Sequence, residues 1–141
     1  MSAPLKFHYD VSGGDFTSAG KASVQAKKAL RQLGFDPDVI RRVAIAMYEG
    51  EINMVIHADG GSADLVVNPD SVEIILADTG PGIPNVELAM KEGYSTAPDN
   101  IRSLGFGAGM GLPNMKRYTD EMRIDTEVGK GTTVTMRVLV K

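Results

Sequence analysis

The sequence predicts a two-layer α/β (α+β) sandwich, with a mixed, mostly antiparallel sheet and helices on one face. Three observations predict it. The chain opens with a strand-like segment followed by two helical ones. Two later pairs of strand-like runs are joined by turns short enough to make hairpins. The 141 residues suffice for one compact domain with one core, so 1–141 reads as a single domain.

Taken in order, Leu5 to Val11 alternates apolar and polar residues and predicts a half-buried strand, ended by Gly13-Gly14. Thr17 to Leu33 predicts an amphipathic helix. Ala22, Ala26, Ala29, Leu30 and Leu33 share one face, Lys27, Lys28 and Arg31 lie away from it, and Gly34 is the stop. Asp36 as N-cap and Pro37 at the first helical position start a second helix that runs to about Ala58. Its apolar residues spread around most of its circumference, which predicts burial. The exception is a stripe of Ala46, Glu49, Gly50, Asn53 and His57 at spacings of three and four. Small residues there leave room and polar ones point into it, so the stripe predicts the floor of a polar pocket.

Ser62–Val67 and Val72–Ala77 predict strands around Asn68-Pro69-Asp70-Ser71, the second ending on Asp78. A short helix is expected from Asn85 to Glu92, and a loop from Gly93 to Ser103. Another helix is expected from Pro113 to Asp120. Met122–Glu127 and Thr132–Val140 would close the sheet as a hairpin across Gly129-Lys130-Gly131.

Composition excludes several classes. The net charge of −3 with interspersed signs lacks the basic footprint of a nucleic-acid binder. Without cysteine there is no disulfide or thiolate chemistry, and two histidines make no transition-metal site. No stretch approaches the ~20 apolar residues of a membrane span, and no apolar signal segment opens the chain, so a cytoplasmic protein is expected.

Three segments carry chemistry. In Glu49-x-x-x-Asn53 a carboxylate and an amide one helical turn apart can reach one ligand. The carboxylate can take a proton from an attacking hydroxyl, and the amide oxygen suits Mg²⁺, which takes few protein ligands. Glu51, on the opposite side, is the better candidate for a plain solvated carboxylate. Asp78-Thr79-Gly80-Pro81-Gly82-Ile83 follows a buried strand. Its carboxylate can accept a hydrogen bond from an exocyclic amine, its glycines let a flat ring approach, and Ile83 can pack on that ring. An ordinary strand-ending turn has the same composition.

The run Gly105-Phe106-Gly107-Ala108-Gly109-Met110-Gly111-Leu112-Pro113 leads into a helix and can bring backbone N–H groups around an anion. It is no P-loop, because no Gly-Lys-Ser/Thr follows, and its spacing misses the dinucleotide fingerprint. His57, one turn beyond Asn53, can touch a phosphate or simply pack at a helix end. His8 and the eight methionines read as structural.

In this order the motifs resemble those of the ATP-binding superfamily of gyrase, Hsp90, histidine kinases and MutL, abbreviated GHKL. Glu49-x-x-x-Asn53 looks like its N box, Asp78-x-Gly80-x-Gly82 its first glycine box, Gly107-x-Gly109-x-Gly111 its second and Gly131-Thr132 its last. The small size and the phrases around Asp78, Tyr94-Ser95-Thr96 and Gly111-Leu112-Pro113 resemble the anti-sigma-factor and switch serine kinases. The resemblance implies the Bergerat ATP-binding fold with Gly93 to Met110 as a lid. It implies ATP and Mg²⁺ as cofactors, Glu49 as general base and Asn53 as metal ligand. Asp78 would hold the adenine amine, with Gly80, Gly82, Ile83 and Thr132 beside it. Thr96, Gly105 and the stretch Gly107, Ala108, Gly109, Met110, Gly111 and Leu112 would close on the nucleotide and its phosphates.

The sequence departs from some relatives at Gly107-Ala108, where they carry a basic residue. Arg102, Lys116 and Arg117 are the alternative cations. The implied function is an ATP-dependent serine/threonine protein kinase acting on a small antagonist protein in a partner-switching pathway, with a sigma factor or phosphatase as further partners and pairing of two copies. The alternative is a non-catalytic, ATP/ADP-gated anti-sigma or regulator-binding module.

Overall fold

The computed structural model describes residues 4–12, 20–57, 60–80, 82–83, 86, 90 and 111–140. Three helices stand among them, α1 (Lys21–Gln32), α2 (Pro37–His57) and α3 (Gly111–Arg117). Five strands, β1 (Leu5–Ser12), β2 (Gly60–Val67), β3 (Ser71–Asp78), β4 (Glu121–Glu127) and β5 (Gly131–Leu139), form one sheet in the order β1-β2-β3-β5-β4. The expected mostly antiparallel sheet is antiparallel at every described pairing.

Period-two burial sets the layers. Ala63, Leu65 and Val67 of β2, Val72, Ile74 and Leu76 of β3, and Val134, Met136 and Val138 of β5 are buried beneath the helices. Leu30 of α1, Met47 of α2 and Met115 of α3 meet them in one core. The buried methionines fill the irregular space between helix and sheet. The other sheet face carries cross-strand charge: Arg137 lies 3.7 Å from Glu73 and 3.5 Å from Glu121. On the same face His8 bridges Asp64 and Asp10.

Two connections lock the strand ends and helices in place. The β4–β5 hairpin turns through Gly129 at φ +84°, with the Lys130 N–H donating to the Glu127 carbonyl at 3.0 Å. That turn fixes Thr126 opposite Thr132. Arg42 of α2 donates to the Tyr118 carbonyl at 3.1 Å and to Asp120 at 3.0 Å, and Asp120 accepts the Leu139 N–H at 2.7 Å. One guanidinium therefore ties α2 to the segment after α3 and to the end of β5.

Two helix starts differ from expectation. The first helix starts at Lys21, because Gly20 stands at φ +98° in the left-handed region. The third starts at Gly111, two residues before Pro113, which takes up a first-turn position where its missing N–H costs nothing. Of the expected 85–92 helix only Val86 and Met90 are described, joined by the Met90 N–H to the Val86 carbonyl at 3.0 Å. The 93–103 loop lies outside the described residues.

Candidate nucleotide site

α2 supplies the first wall. Gly50, Glu51, Ile52, Met54 and Val55 are buried, and Asn53 among them is half-buried. Glu49 is half-buried too. Burial pushes the Glu49 carboxyl above its usual range, and a hydrogen bond with the Asn114 side chain of α3 partly offsets this. The result is a carboxylate poised to take up a proton nearer neutral pH than an exposed glutamate.

Gly50 serves a different end from the one expected. A Cβ there would lie 1.9 Å from Leu76 Cδ1 and 3.3 Å from the Met115 sulfur. The missing side chain lets β3 and α3 close on the helix. Ala46 is likewise fully buried in the core. The small residues of the stripe are packing surfaces, while Glu49 and Asn53 are its half-open positions.

The second wall is a row across the sheet. Gly61, Asp78, Thr132 and Thr126 are successive cross-strand partners. They occupy one end of the helix-facing side. α2 overlies the same end, since the Met54 sulfur would lie 3.0 Å from a Cβ at Gly61. Asp78 Oδ1 accepts the Gly80 N–H at 2.9 Å, which curls the chain after β3. Thr126 Oγ1 accepts the Ile83 N–H at 2.8 Å and lies 2.9 Å from Thr132 Oγ1. Gly82 stands at φ +80°, and a Cβ there would lie 2.5 Å from the Glu127 carbonyl oxygen. It admits the protein's own hairpin, where the sequence suggested a ring. Ile83 is partly buried against the core.

Of the glycine run, Gly111, Leu112 and Pro113 are among the described residues. Gly111 opens α3, and Leu112 is buried in the core, so its backbone is the part left for an anion. Lys116 and Arg117 are exposed in the last turn of α3. Thr96, Arg102, Gly105, Gly107, Ala108, Gly109, Met110 and the side chain of His57 lie outside the described residues.

One expectation is overturned. Glu51 is not a solvated carboxylate; it is 2% exposed. Its Oε2 accepts the N–H groups of Gly20 at 2.8 Å and Ala22 at 3.1 Å, and its Oε1 that of Ser23 at 3.1 Å. The first turn of α1 presents unpaired N–H groups and has no side-chain cap of its own. Glu51 caps it from the next helix, with both of its oxygens engaged.

Sequence reasoning also missed Asn114 and Thr126. Thr126 was within reach, because a turn at 128–130 puts residue 126 opposite 132. Asn114 carried no signal, since its role depends on how α3 docks on α2.

The histidine kinase-like ATPase domain family matches residues 15–138, and the chain belongs to that family. It is 34% identical over 122 residues to an anti-sigma F factor of Clostridium beijerinckii, covering 82% of each chain. It is 30% identical over 112 residues to the serine/threonine-protein kinase RsbT of Bacillus subtilis, covering 77% of this chain and 78% of that one. Among solved structures it resembles the RsbU and RsbW domains of Rv1364c from Mycobacterium tuberculosis, with a TM-score of 0.64 and 18% identity over 97% of this chain and 33% of that one. It also resembles the mycobacterial sensor histidine kinase MprB, with a TM-score of 0.55 and 18% identity over 97% of this chain and 99% of that one.

Proposed function

We propose that this histidine kinase-like ATPase is an ATP-dependent serine/threonine protein kinase of the anti-sigma or switch type. It phosphorylates a small antagonist protein in a partner-switching pathway. Its kinship with RsbT and the anti-sigma F factors supports the reaction class. The observation that carries the site is the meeting of two walls at one end of the sheet. Half-buried Glu49 and Asn53 stand on α2, whose Met54 reaches Gly61 at the end of the row that holds Asp78 and Thr132.

The donor set fits a nucleotide with its own metal. Among the described residues no three His, Cys, Asp or Glu side chains gather to hold an ion. Asn53 therefore suits a Mg²⁺ that takes its remaining ligands from phosphate and water. Bound Mg-ATP would supply the phosphoryl group and neutralise its charge. The rest falls to the chain. Asp78 accepts a hydrogen bond from the adenine amine, and Thr132 completes the purine edge, directly or through water. Residues 107–112 receive the phosphates on backbone N–H groups. Glu49 takes the proton of the acceptor serine or threonine hydroxyl as that oxygen bonds the terminal phosphorus and ADP leaves.

Among the described residues no helix is long and apolar enough to cross a membrane. A cytoplasmic setting, a sigma factor or phosphatase as further partner, and pairing of two copies belong to the same proposal.

The test is incubation with Mg-ATP and an antagonist-domain protein from the same genome. Labelled phosphate should pass to that protein, and Glu49→Ala should stop transfer while ATP still binds. Normal transfer by Glu49→Ala would sink the mechanism. ATP binding without transfer to any such protein would point to a non-catalytic, nucleotide-gated module.

A further inference from the structure

We propose that Glu51 is a positioning residue for phosphotransfer: by gripping the start of α1, it fixes the roll of α2 about its own axis and so aims Glu49 and Asn53. The inference rests on the reading of Glu49 as base and Asn53 as metal ligand.

The need for such a device follows from the burial pattern. Successive helical residues are about 100° apart, so the buried Gly50, Glu51, Ile52, Met54 and Val55 cover rather more than half of the circumference of α2 and leave Glu49 and Asn53 on its half-open side. Apolar burial is non-directional, so it turns that broad face inward without setting the roll of the helix finely. Hydrogen bonds are directional. Glu51 makes three of them, to the N–H groups of Gly20, Ala22 and Ser23, and both of its oxygens are engaged.

The receiving end is itself held. Ser23 Oγ donates to the Gly20 carbonyl at 2.9 Å. Gly20 sits at φ +98°, and a Cβ there would lie 3.1 Å from Tyr48 Cε1. Tyr48 and Glu51, one turn apart on α2, thus bracket the single glycine that caps α1.

The leverage is large. Side-chain ends ride about 5–6 Å from a helix axis, so a roll of about 10° moves the Glu49 carboxylate by about 1 Å. A displacement of that size in a reacting group costs up to about 10²-fold in rate. Glu49, Glu51 and Asn53 lie on one rigid helix, so whatever fixes the middle residue fixes the other two.

The experiment compares Glu51→Gln with Gly20→Ala, which disturbs the same grip from α1 without changing α2. Both are assayed in the whole chain at a temperature where circular dichroism shows them folded. The expected pattern is a transfer kcat lowered roughly 10- to 100-fold, with a raised Mg²⁺ requirement. Affinity for metal-free ATP should stay within about threefold, because Asp78 and Thr132 sit on the sheet. In the nucleotide-free protein, carbon-detected NMR should show the Glu49 titration midpoint displaced in both variants.

Wild-type kcat, Mg²⁺ requirement and Glu49 titration in a folded Glu51→Gln would overturn the proposal. So would failure of both variants to fold, since Glu51 would then serve the fold as a whole. If only one folds, that one decides. Glu49→Ala run alongside separates the two ideas. Full transfer by Glu49→Ala brings down the functional reading itself. Loss of transfer there, with Glu51→Gln intact, brings down the positioning role alone.

Discussion

Glu49 and Glu51 stand two residues apart on one helix and lead opposite lives. Glu49 is half-open and hydrogen-bonds the Asn114 side chain, and burial disfavours its ionised form. Glu51 is almost wholly enclosed, yet both of its oxygens receive backbone N–H groups. Exposure alone would rank the two the wrong way round. Hydrogen bonding decides: a buried carboxylate with three donors is a fixture, and the half-buried one is the proposed base.

This contrast is sharpest in stability. Glu51→Ala leaves buried N–H groups at the start of α1 without partners and should cost about 3–5 kcal/mol in urea unfolding. A loss below about 1 kcal/mol would show that water replaces the carboxylate freely. Gly50→Ala, between the two, pushes a methyl into Leu76 and should cost about 1–3 kcal/mol.

The Glu49 side should respond oppositely. Its folded-state pKa is raised, so ionisation works against the fold: the penalty is absent below the unfolded value and complete once pH exceeds the folded one. Glu49→Gln should therefore melt slightly higher than the parent at pH 8, with the difference vanishing toward pH 4. A lower melting point at pH 8 would break the contrast. Asn114→Ala removes the bond that holds the Glu49 pKa down, so the acid limb of the transfer pH profile should move to higher pH. No movement would leave Asn114 without a part in tuning the base.

The smallest effect lies outside the site. Asp64 first and Asp10 second raise the pKa of exposed His8. Its contribution is present in full below the unfolded value and fades as pH rises through the folded one. His8→Ala should lower the melting point slightly at pH 5.5 and leave it unchanged at pH 9.

Much of this architecture was legible because it depends on local rules. Period two marked the strands, Asp36-Pro37 the start of α2, and turn residues both hairpins. The stripe on α2 and the Asp78 turn stood out as candidates for chemistry. What stayed hidden depends on contacts distant in sequence. Glu51 looked solvated because nothing near it announces that α1, some thirty residues earlier, begins against it. Gly50 looked like room for a ligand because the approach of Leu76 is a tertiary fact. Thr126 is the intermediate case, since hairpin register puts it beside Thr132, yet its bond to Ile83 needs the fold.

The cross-strand row also sets which changes in chain length the protein can absorb. Asp78, Thr132 and Thr126 face the helices together because each strand keeps its parity. Residues added at the hairpin tip, 128–130, leave that parity intact. One residue gained or lost between Thr132 and Val138 would pit two demands against each other: either the threonine turns to the outer face or the apolar residues beyond it do. The proposed purine edge and the core are spelled in one reading frame, and neither can drift without the other.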